Sequence, residues 1–415
     1  MTNKLITIIL TILIITVPIA TMPGIGKANI PRIFILFGGG LVLLILILTN
    51  YKKLKLDRRD FIILIFAILI FISTINSSNI KTSIIGTHSR YEGMLALYTY
   101  IIIYFCAKKF LNYKNKSTLL LIIQVIYILI SILGILQYYI KLPTNTLYPL
   151  FNRGICGTFG NTNFMGNFIS MGIPIFVTTY IIKGNKISLI VSLATFFCLI
   201  GCLARSGWVA FAVFSLIMLF YIIKNKKKEY MFRSIILIIC FILIIAGIYL
   251  SKNGIMRQKI RWTKEEIKII KQEGINNTTG SSRIQIWKIT AELISKYPFL
   301  GVGTDNLKNG ILENLTDLSI DYIIRTNALI DKAHNEYLHI AVTLGIPALI
   351  VYLVFITDIL IRKKRELFEK DETFIICSSI ISYLVQAFFN ISTVGVAPLF
   401  WLALGLLDNK MYSEK

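Results

Sequence analysis

Two arginines and one histidine are the residues best suited to chemistry in this sequence: Arg205, Arg283 and His334. A guanidinium keeps its charge and binds phosphate through paired hydrogen bonds. An imidazole, with an ordinary pKa of about 6.5, accepts or releases a proton at working pH. If these side chains converge, they suit a substrate that is both membrane-borne and phosphorylated.

Arg205 is the sole charge in residues 187–223, which are otherwise apolar and long enough for two membrane spans joined by a tight turn. We expect it at that turn, at or just below the outer surface. An arginine at membrane depth costs much free energy, which points to a function. The alternative is an interfacial anchor whose guanidinium reaches the lipid headgroups.

Arg283 and His334 each have a functional and a structural interpretation. Arg283 falls in the first turn of a predicted helix, where the helix dipole disfavours a cation; this suggests a ligand, but a solvated surface arginine fits equally well. His334 precedes the next apolar run and is either a catalytic base or an interfacial histidine. For Glu336 and His339 we favour satisfied polar groups at a helix end.

Two shorter polar segments are predicted on the same side of the membrane. They are Gly86-Thr87-His88-Ser89-Arg90-Tyr91-Glu92-Gly93 and Gly157-Thr158-Phe159-Gly160-Asn161-Thr162-Asn163-Phe164. Glycine and asparagine permit tight turns and close approach of backbone to a ligand, although turn formation alone accounts for both segments.

Composition separates the possible classes of protein. The chain has 415 residues, 55% of them hydrophobic and 16% charged, with a net charge of +23. Soluble domains are about 45–50% apolar and about 25% charged. High hydrophobicity excludes a disordered chain. The basic residues lie between long apolar runs, which argues against a nucleic-acid-binding protein.

The apolar runs predict an all-α polytopic membrane protein with about 12 transmembrane helices, since a span needs about 20 apolar residues. The runs are 5–22, 33–49, 61–75, 93–107, 118–140, 164–182, 187–204, 207–223, 234–250, 335–360, 373–390 and 396–407.

The basic residues set the orientation. With a cytoplasmic N-terminus and alternating spans, 24 of the 44 Lys and Arg residues fall in inside segments and 7 in short outside segments. Positive charge favours the inside. We therefore expect both termini in the cytoplasm and the polar site on the extracytoplasmic side of the cytoplasmic membrane.

The segment 251–333 should form a helical extracytoplasmic cap between transmembrane helices 1–9, in 1–250, and 10–12, in 334–415. A bare connection of this length is uncommon. Thr263 to Glu266 matches a capping box that would open a short helix ending near Gln272. Ser281 or Ser282 would cap a second helix, 283–296, before Pro298. On that helix one shared face carries Ile284, Trp287, Ala291 and Ile294, and this face can lie on the membrane or on the other helices.

At these residues the chain resembles the O-antigen ligase and polymerase family of bacterial membrane glycosyltransferases, which have the C-type fold. The resemblance lies in Gly157–Asn163, Ala204-Arg205-Ser206-Gly207-Trp208, Ser282-Arg283 through Trp287 to Tyr297–Gly303, Ala333-His334-Asn335-Glu336-Tyr337-Leu338 and Arg90-Tyr91-Glu92-Gly93. Ala204 replaces the usual Ser, and Ser282 the usual Gly. The order and spacing of these segments make the set specific.

The resemblance implies transfer of a glycan from undecaprenyl diphosphate to an acceptor hydroxyl, with no metal or other cofactor. Arg205 and Arg283 would hold the diphosphate, and His334 would be the general base. Arg90 would contact the diphosphate or support the site. Asn163 and Asn335 would orient the sugar or the histidine. The partners implied are a lipid-linked glycan donor, a glycan or lipid-anchored acceptor and the bilayer, with no nucleic acid.

Three alternatives remain open. Within the family, a polymerase is modestly favoured over a ligase, because no feature identifies a lipid A core acceptor. A protein O-oligosaccharyltransferase would share the same pattern. A lipid-linked oligosaccharide flippase would also have many spans, but transporters usually contain internal repeats and binding sites near mid-membrane, and the two halves of this sequence show no convincing repeat.

Overall fold

The computed structural model describes residues 2–22, 27–51, 55–111, 116–140, 154–251, 254–274, 276–280 and 282–409. Regular structure in these ranges is helical, with no strand. The helices are α1 (Thr2–Ile19), α2 (Ile30–Thr49), α3 (Arg58–Ile75), α4 (Ile80–Ile85), α5 (Met94–Phe110), α6 (Lys116–Ile140), α7 (Thr162–Lys183), α8 (Lys186–Gly201), α9 (Arg205–Asn225), α10 (Lys228–Leu250), α11 (Ile255–Glu273), α12 (Arg283–Lys296), α13 (Leu307–Glu313), α14 (Asp317–Thr326), α15 (Glu336–Leu344), α16 (Ile346–Arg362), α17 (Asp371–Ala387) and α18 (Ala397–Asp408).

Helix α7 forms the centre of the bundle. Its apolar window is 94% buried, whereas that of α10 is 11% buried. The helix packs against α8, α9 and α17, and α18 packs against α5. Helix α7 carries the polar side chains Asn167, Ser170, Thr178 and Thr179, all of them buried. Lipid offers such groups no hydrogen bonds, so a helix that carries them is expected in the interior of a membrane bundle.

Six helices in the described ranges are long and apolar enough to cross a membrane: α1, α2, α6, α7, α9 and α10. The all-α, multi-pass architecture is therefore confirmed. Each of the twelve apolar runs coincides with helix, but several of these helices are shorter or carry more charge. The number of twelve spans and the extracytoplasmic location of the cap stay predictions.

The predicted span 335–360 is two helices, because the chain breaks between α15 and α16. Gly345 has a φ of +89°, which favours glycine, and Pro347 lies in the first turn of α16. Carbonyls near the end of α15 accept hydrogen bonds from a second segment: Val302 N–H donates to Val342 O (2.9 Å), and Gly303 N–H to Thr343 O (3.0 Å). The Pro298–Gly303 segment thus supplies hydrogen-bond donors to the carbonyls that the break leaves without partners at the end of α15.

The predicted capping box at Thr263 was wrong, because this residue lies inside α11 rather than at its start. The helix begins after Gly254, which has a φ of +65°, and Thr263 Oγ1 donates back to Lys259 O at 3.0 Å. Apolar residues continue upstream of Thr263 at helical spacing, in Ile255, Met256 and Ile260, and this periodicity outweighs the local cap pattern.

Helix α12 has the predicted bounds, but its start differs in one detail. Ser282 occupies the N-cap position with a φ of +62° and makes no side-chain cap bond; Ser281 lies outside the described residues. The predicted apolar face is partly exposed, and the helix buries a neighbouring set within the protein: Gln285, Ile286, Ile289, Thr290 and Leu293. The buried apolar ones join a second apolar cluster with Val302, Leu307, Ile311, Ile330 and Val342. That cluster unites α12, α13 and α15.

Candidate functional site

Arg205 is the first residue of α9, at the short connection from α8. Ala204 before it provides no side-chain cap. The guanidinium is partly exposed, and its Nη1 donates to Glu266 Oε2 at 2.6 Å. The position at the turn agrees with the sequence-based prediction, while the carboxylate partner on α11 was missed. No local sequence pattern predicts that pair, because the two residues are 61 positions apart.

The Glu266 carboxylate bridges two segments. Besides Arg205, its Oε1 accepts a hydrogen bond from Gly280 N–H at 2.7 Å, just before α12. Burial alone would raise the pKa of Glu266, but the hydrogen bonds from Arg205 and Gly280 outweigh it and hold this pKa below the ordinary value. Glu266 is therefore anionic and fixed beside the start of α12.

Arg283 opens α12 and carries an uncompensated charge. Among the described residues it has no hydrogen bond or ion pair from its guanidinium. Burial, and then the neighbouring Arg205 charge, lower its pKa from the ordinary value. Arg325 of α14 stabilises the start of α12, since its Nη1 donates to Ser282 Oγ at 3.3 Å and its Nη2 to Gln285 Oε1.

His334 lies in the loop before α15, with a φ of +49°. Its Nδ1 is buried and has no hydrogen-bond partner in the part of the chain that the structure describes. Burial lowers the pKa of His334 to about 4, and the Arg283 and Arg90 charges act in the same direction, whereas Asp331 opposes them. The imidazole is consequently neutral at neutral pH, with a free ring nitrogen.

Arg90 supports this loop. Its Nε donates to Asp331 Oδ2 at 2.7 Å, three residues before His334. Its guanidinium also lies over the ring of Phe164, 5.3 Å from the centroid. The Gly86–Gly93 and Gly157–Phe164 segments therefore meet at Arg90, and Arg90 reaches His334 through Asp331. Burial would raise the pKa of Asp331, but the Arg90 charge outweighs it and lowers this pKa.

The two predicted asparagines have structural contacts. Asn335 is the N-cap of α15, and its Oδ1 accepts a hydrogen bond from Leu338 N–H at 3.0 Å. Asn163 lies in the first turn of α7, where its carbonyl accepts from Asn390 Nδ2 at 3.1 Å. Within the described ranges neither side chain hydrogen-bonds to His334. The structure thus groups Arg90, Arg205, Arg283 and His334 and leaves the asparagines at helix starts.

A buried ionic cluster underlies the His334 loop and was also missed. Lys332 Nζ lies 2.7 Å from Asp305 Oδ1, 3.2 Å from Glu92 Oε2 and 3.2 Å from His339 Nε2. Asp305 Oδ2 accepts from Thr87 N–H at 2.7 Å. Burial would lower the pKa of Lys332, but the two carboxylates outweigh it and raise this pKa. His339 meets the expectation of a satisfied polar group only in part: its Nε2 contacts Lys332, whereas its buried Nδ1 has no hydrogen-bond partner among the described residues.

Glu336 also has satisfied contacts at the start of α15. Its two carboxylate oxygens accept hydrogen bonds from Tyr352 at 3.0 Å and from Tyr383 at 2.9 Å. Because α16 and α17 supply these tyrosines, Glu336 ties the start of α15 to two further helices.

Taken together, the site combines an excess of cationic groups with a neutral imidazole. Arg205, Arg283 and Lys259 lie close enough that the two arginines lower the pKa of Lys259, after burial as the larger cause. Glu266 is the carboxylate near these three cations, and it forms an ion pair with Arg205. The described residues contain no group of three or more His, Cys, Asp or Glu side chains placed to hold a metal ion. The arrangement can bind an oxyanion and accept a proton beside it.

Comparison with known protein families gives a match over the middle of the chain. Residues 190–353 match the model of a family described as O-antigen ligase. The matched segment begins in α8, ends in α16 and contains Arg205, Arg283 and His334. No curated protein matches the chain.

Proposed function

We propose that this chain, a member of the O-antigen ligase family by its match over residues 190–353, transfers a glycan from undecaprenyl diphosphate to an acceptor hydroxyl on the outer face of the cytoplasmic membrane. The acceptor oxygen forms a bond to the anomeric carbon of the donor. The bond from that carbon to the diphosphate oxygen breaks, and its electron pair leaves with undecaprenyl diphosphate. The acceptor proton passes to His334.

The arginines stabilise the leaving group in this mechanism. Negative charge grows on the diphosphate as the glycosidic bond breaks, and positioned cations stabilise such a transition state most strongly where water is excluded. Arg283 is suited to this role because it is half-buried, begins α12 and has no ion-pair partner in the described part of the chain. Arg205 would bind the same diphosphate, because its guanidinium already binds a carboxylate beside the start of α12.

His334 is neutral before the donor binds, as a general base must be. In the free protein the imidazole is neutral, since burial and the arginine charges lower its pKa to about 4. A bound diphosphate would neutralise those charges and raise the pKa of His334, making it a better proton acceptor with substrate in place. Arg90 and Asp331 hold the loop that carries it.

The observation that carries the proposal is the convergence of Arg205, Arg283 and His334 from three separate segments of the family domain. We favour a polymerase of lipid-linked repeat units, and a capsular or cell-wall polysaccharide as the acceptor. The Ile-, Lys- and Asn-rich composition suggests an AT-rich genome, and no feature of the sequence identifies a lipid A core acceptor.

Deletion of the gene and analysis of the surface glycan test the proposal. A polymerase predicts loss of long chains with a single repeat unit still attached. Lipid-linked polymer that accumulates without attachment indicates a ligase instead. Unattached glycan confined to the cytoplasmic face would contradict both and indicate a flippase, and an unchanged surface glycan with glycoproteins that lack glycan would indicate transfer to protein.

A further inference from the structure

Helix α11 directs one basic and one acidic side chain toward the cationic site, the group formed by Arg205 and Arg283. Lys259 and Glu266 are seven residues, or about two turns, apart and therefore lie on one face of the helix. Glu266 contacts Arg205, and Lys259 feels the charges of Arg205 and Arg283. The opposite face carries the exposed or half-buried basic residues Arg257, Arg261, Lys264, Lys268 and Lys271.

The Glu266 carboxylate occupies a position built for an oxyanion. One oxygen lies 2.6 Å from Arg205 Nη1 and the other 2.7 Å from Gly280 N. A guanidinium together with a backbone N–H at such distances is the donor set that binds phosphate oxygens as well as carboxylates. The two donors come from different segments, α9 and the connection before α12, which meet at this carboxylate.

The charges around this position do not balance. Arg205 contacts Glu266 directly, Arg283 and Lys259 lie near enough to interact with Arg205 electrostatically, and Glu266 supplies a single negative charge. Arg283 and Lys259 form no ion pair within the described ranges. Like charges held together in a partly buried site repel one another. A ligand with two negative charges would relieve this repulsion better than one carboxylate does.

We propose that the diphosphate of the donor displaces Glu266 from Arg205 and the Gly280 N–H, and that Lys259 is the third cation that binds it. This inference rests on the proposed function and adds two residues that the sequence did not indicate. Glu266 then acts as an internal occupant that closes the cationic site when no donor is bound. Lys259 lies on the same face of α11 as Glu266, so both side chains are directed toward Arg205.

Binding of undecaprenyl diphosphate to the full chain in phosphatidylcholine nanodiscs tests this. Phosphatidylcholine has no net charge, so undecaprenyl diphosphate is the main anionic lipid in these nanodiscs. A second preparation that contains phosphatidylglycerol measures competition by anionic headgroups. Glu266→Gln is compared with Glu265→Gln, which removes the same charge from the exposed face of α11. Lys259→Gln is compared with Lys264→Gln in the same way.

We expect Glu266→Gln to bind about three- to tenfold more tightly than wild type and Lys259→Gln about three- to tenfold more weakly, with the two controls near wild type. The gain from Glu266→Gln should disappear in an Arg205→Gln background, because the competition is for that guanidinium. If Glu266→Gln does not purify as a folded protein, Glu266→Asp, whose shorter side chain reaches less far, should shift affinity in the same direction.

Several results would overturn the inference. Equal or weaker binding by Glu266→Gln would show that Glu266 positions Arg205 instead of competing with the ligand. A gain that persists without Arg205 would be a general charge effect. Wild-type affinity in Lys259→Gln would remove its role, and equal competition by phosphatidylglycerol would point to a headgroup site. Failure of wild type to bind undecaprenyl diphosphate at all would overturn the proposed function as well.

Discussion

Lys332 Nζ and Asp305 Oδ1 form an ion pair of 2.7 Å, and their side chains are only 1% and 0% exposed. Lys332 is two residues before His334 in the chain. Glu92 completes the cluster from the segment before α5. These contacts join three regions that are distant in sequence. They fix the loop that carries the imidazole, so the position of His334 depends on charges that never touch substrate.

Replacing Lys332 with Met should therefore destabilise the protein strongly. The change leaves Asp305 and Glu92 buried without their cation, which costs about 3–5 kcal/mol for a broken buried pair. The measurement is thermal unfolding of the purified protein in nanodiscs. Lys296→Met is the matched control, because Lys296 is exposed and forms no ion pair in the described ranges. Equal melting temperatures for the two variants would contradict the structural role.

Gly345→Ala tests the break between α15 and α16. A Cβ at this glycine would lie 2.1 Å from Phe299 O, and its φ of +89° strains any other residue. We expect a loss of at least about 1–3 kcal/mol in the free energy of unfolding. Gly38→Ala in α2 is the control, since its Cβ would meet no atom within 4 Å. That control should be neutral or slightly stabilising, because alanine favours helix; a similar loss in both would show that the break tolerates a side chain.

The sequence predicted the helix 283–296, and it predicted Arg205 at the turn between two apolar spans, because both follow from apolar periodicity and turn residues, which are local. It placed His334 before the next apolar run for the same reason. The Lys332–Glu92 contact was not predictable, since its partners are 240 residues apart and only tertiary packing brings them together. The Arg205–Glu266 pair was missed for the same reason, since 61 positions separate the two residues in the chain.

Arg283→Lys should lose most of the transfer activity. Lysine keeps the charge but offers a single ammonium group in place of the planar fork that binds a diphosphate bidentately. We expect a decrease in kcat of about 10²–10³-fold, the size seen when one positioned donor to a growing negative charge is removed. The assay is glycan transfer in nanodiscs. Arg261→Lys on the exposed face of α11 should retain activity, and wild-type rates in Arg283→Lys would argue against bidentate binding.

The pH dependence of transfer follows from the neutral imidazole. His334 has a pKa of about 4 in the free protein, so kcat/KM should stay level from neutral pH down to about 5 and fall only as the pH approaches that value. An acidic limb centred on the ordinary histidine pKa would contradict the electrostatic account.

The same lowered pKa affects stability. Between about pH 6.5 and about pH 4, the unfolded chain binds a proton at this histidine that the folded chain does not. The contribution of His334 should therefore reduce the free energy of unfolding as the pH falls through this window. His334→Asn removes the titrating group while keeping a side chain that tolerates positive φ, so it should be less sensitive to pH there.

The central claim is that His334 removes the acceptor proton, and single-turnover transfer by His334→Ala tests it most directly. Undecaprenyl-diphosphate-linked glycan is bound to the protein in nanodiscs, acceptor is added, and the product is followed with time. The account predicts that the transfer rate falls by about 10²–10⁴-fold, the usual contribution of a general base, while undecaprenyl diphosphate still binds. Transfer at the wild-type rate by this variant would contradict it.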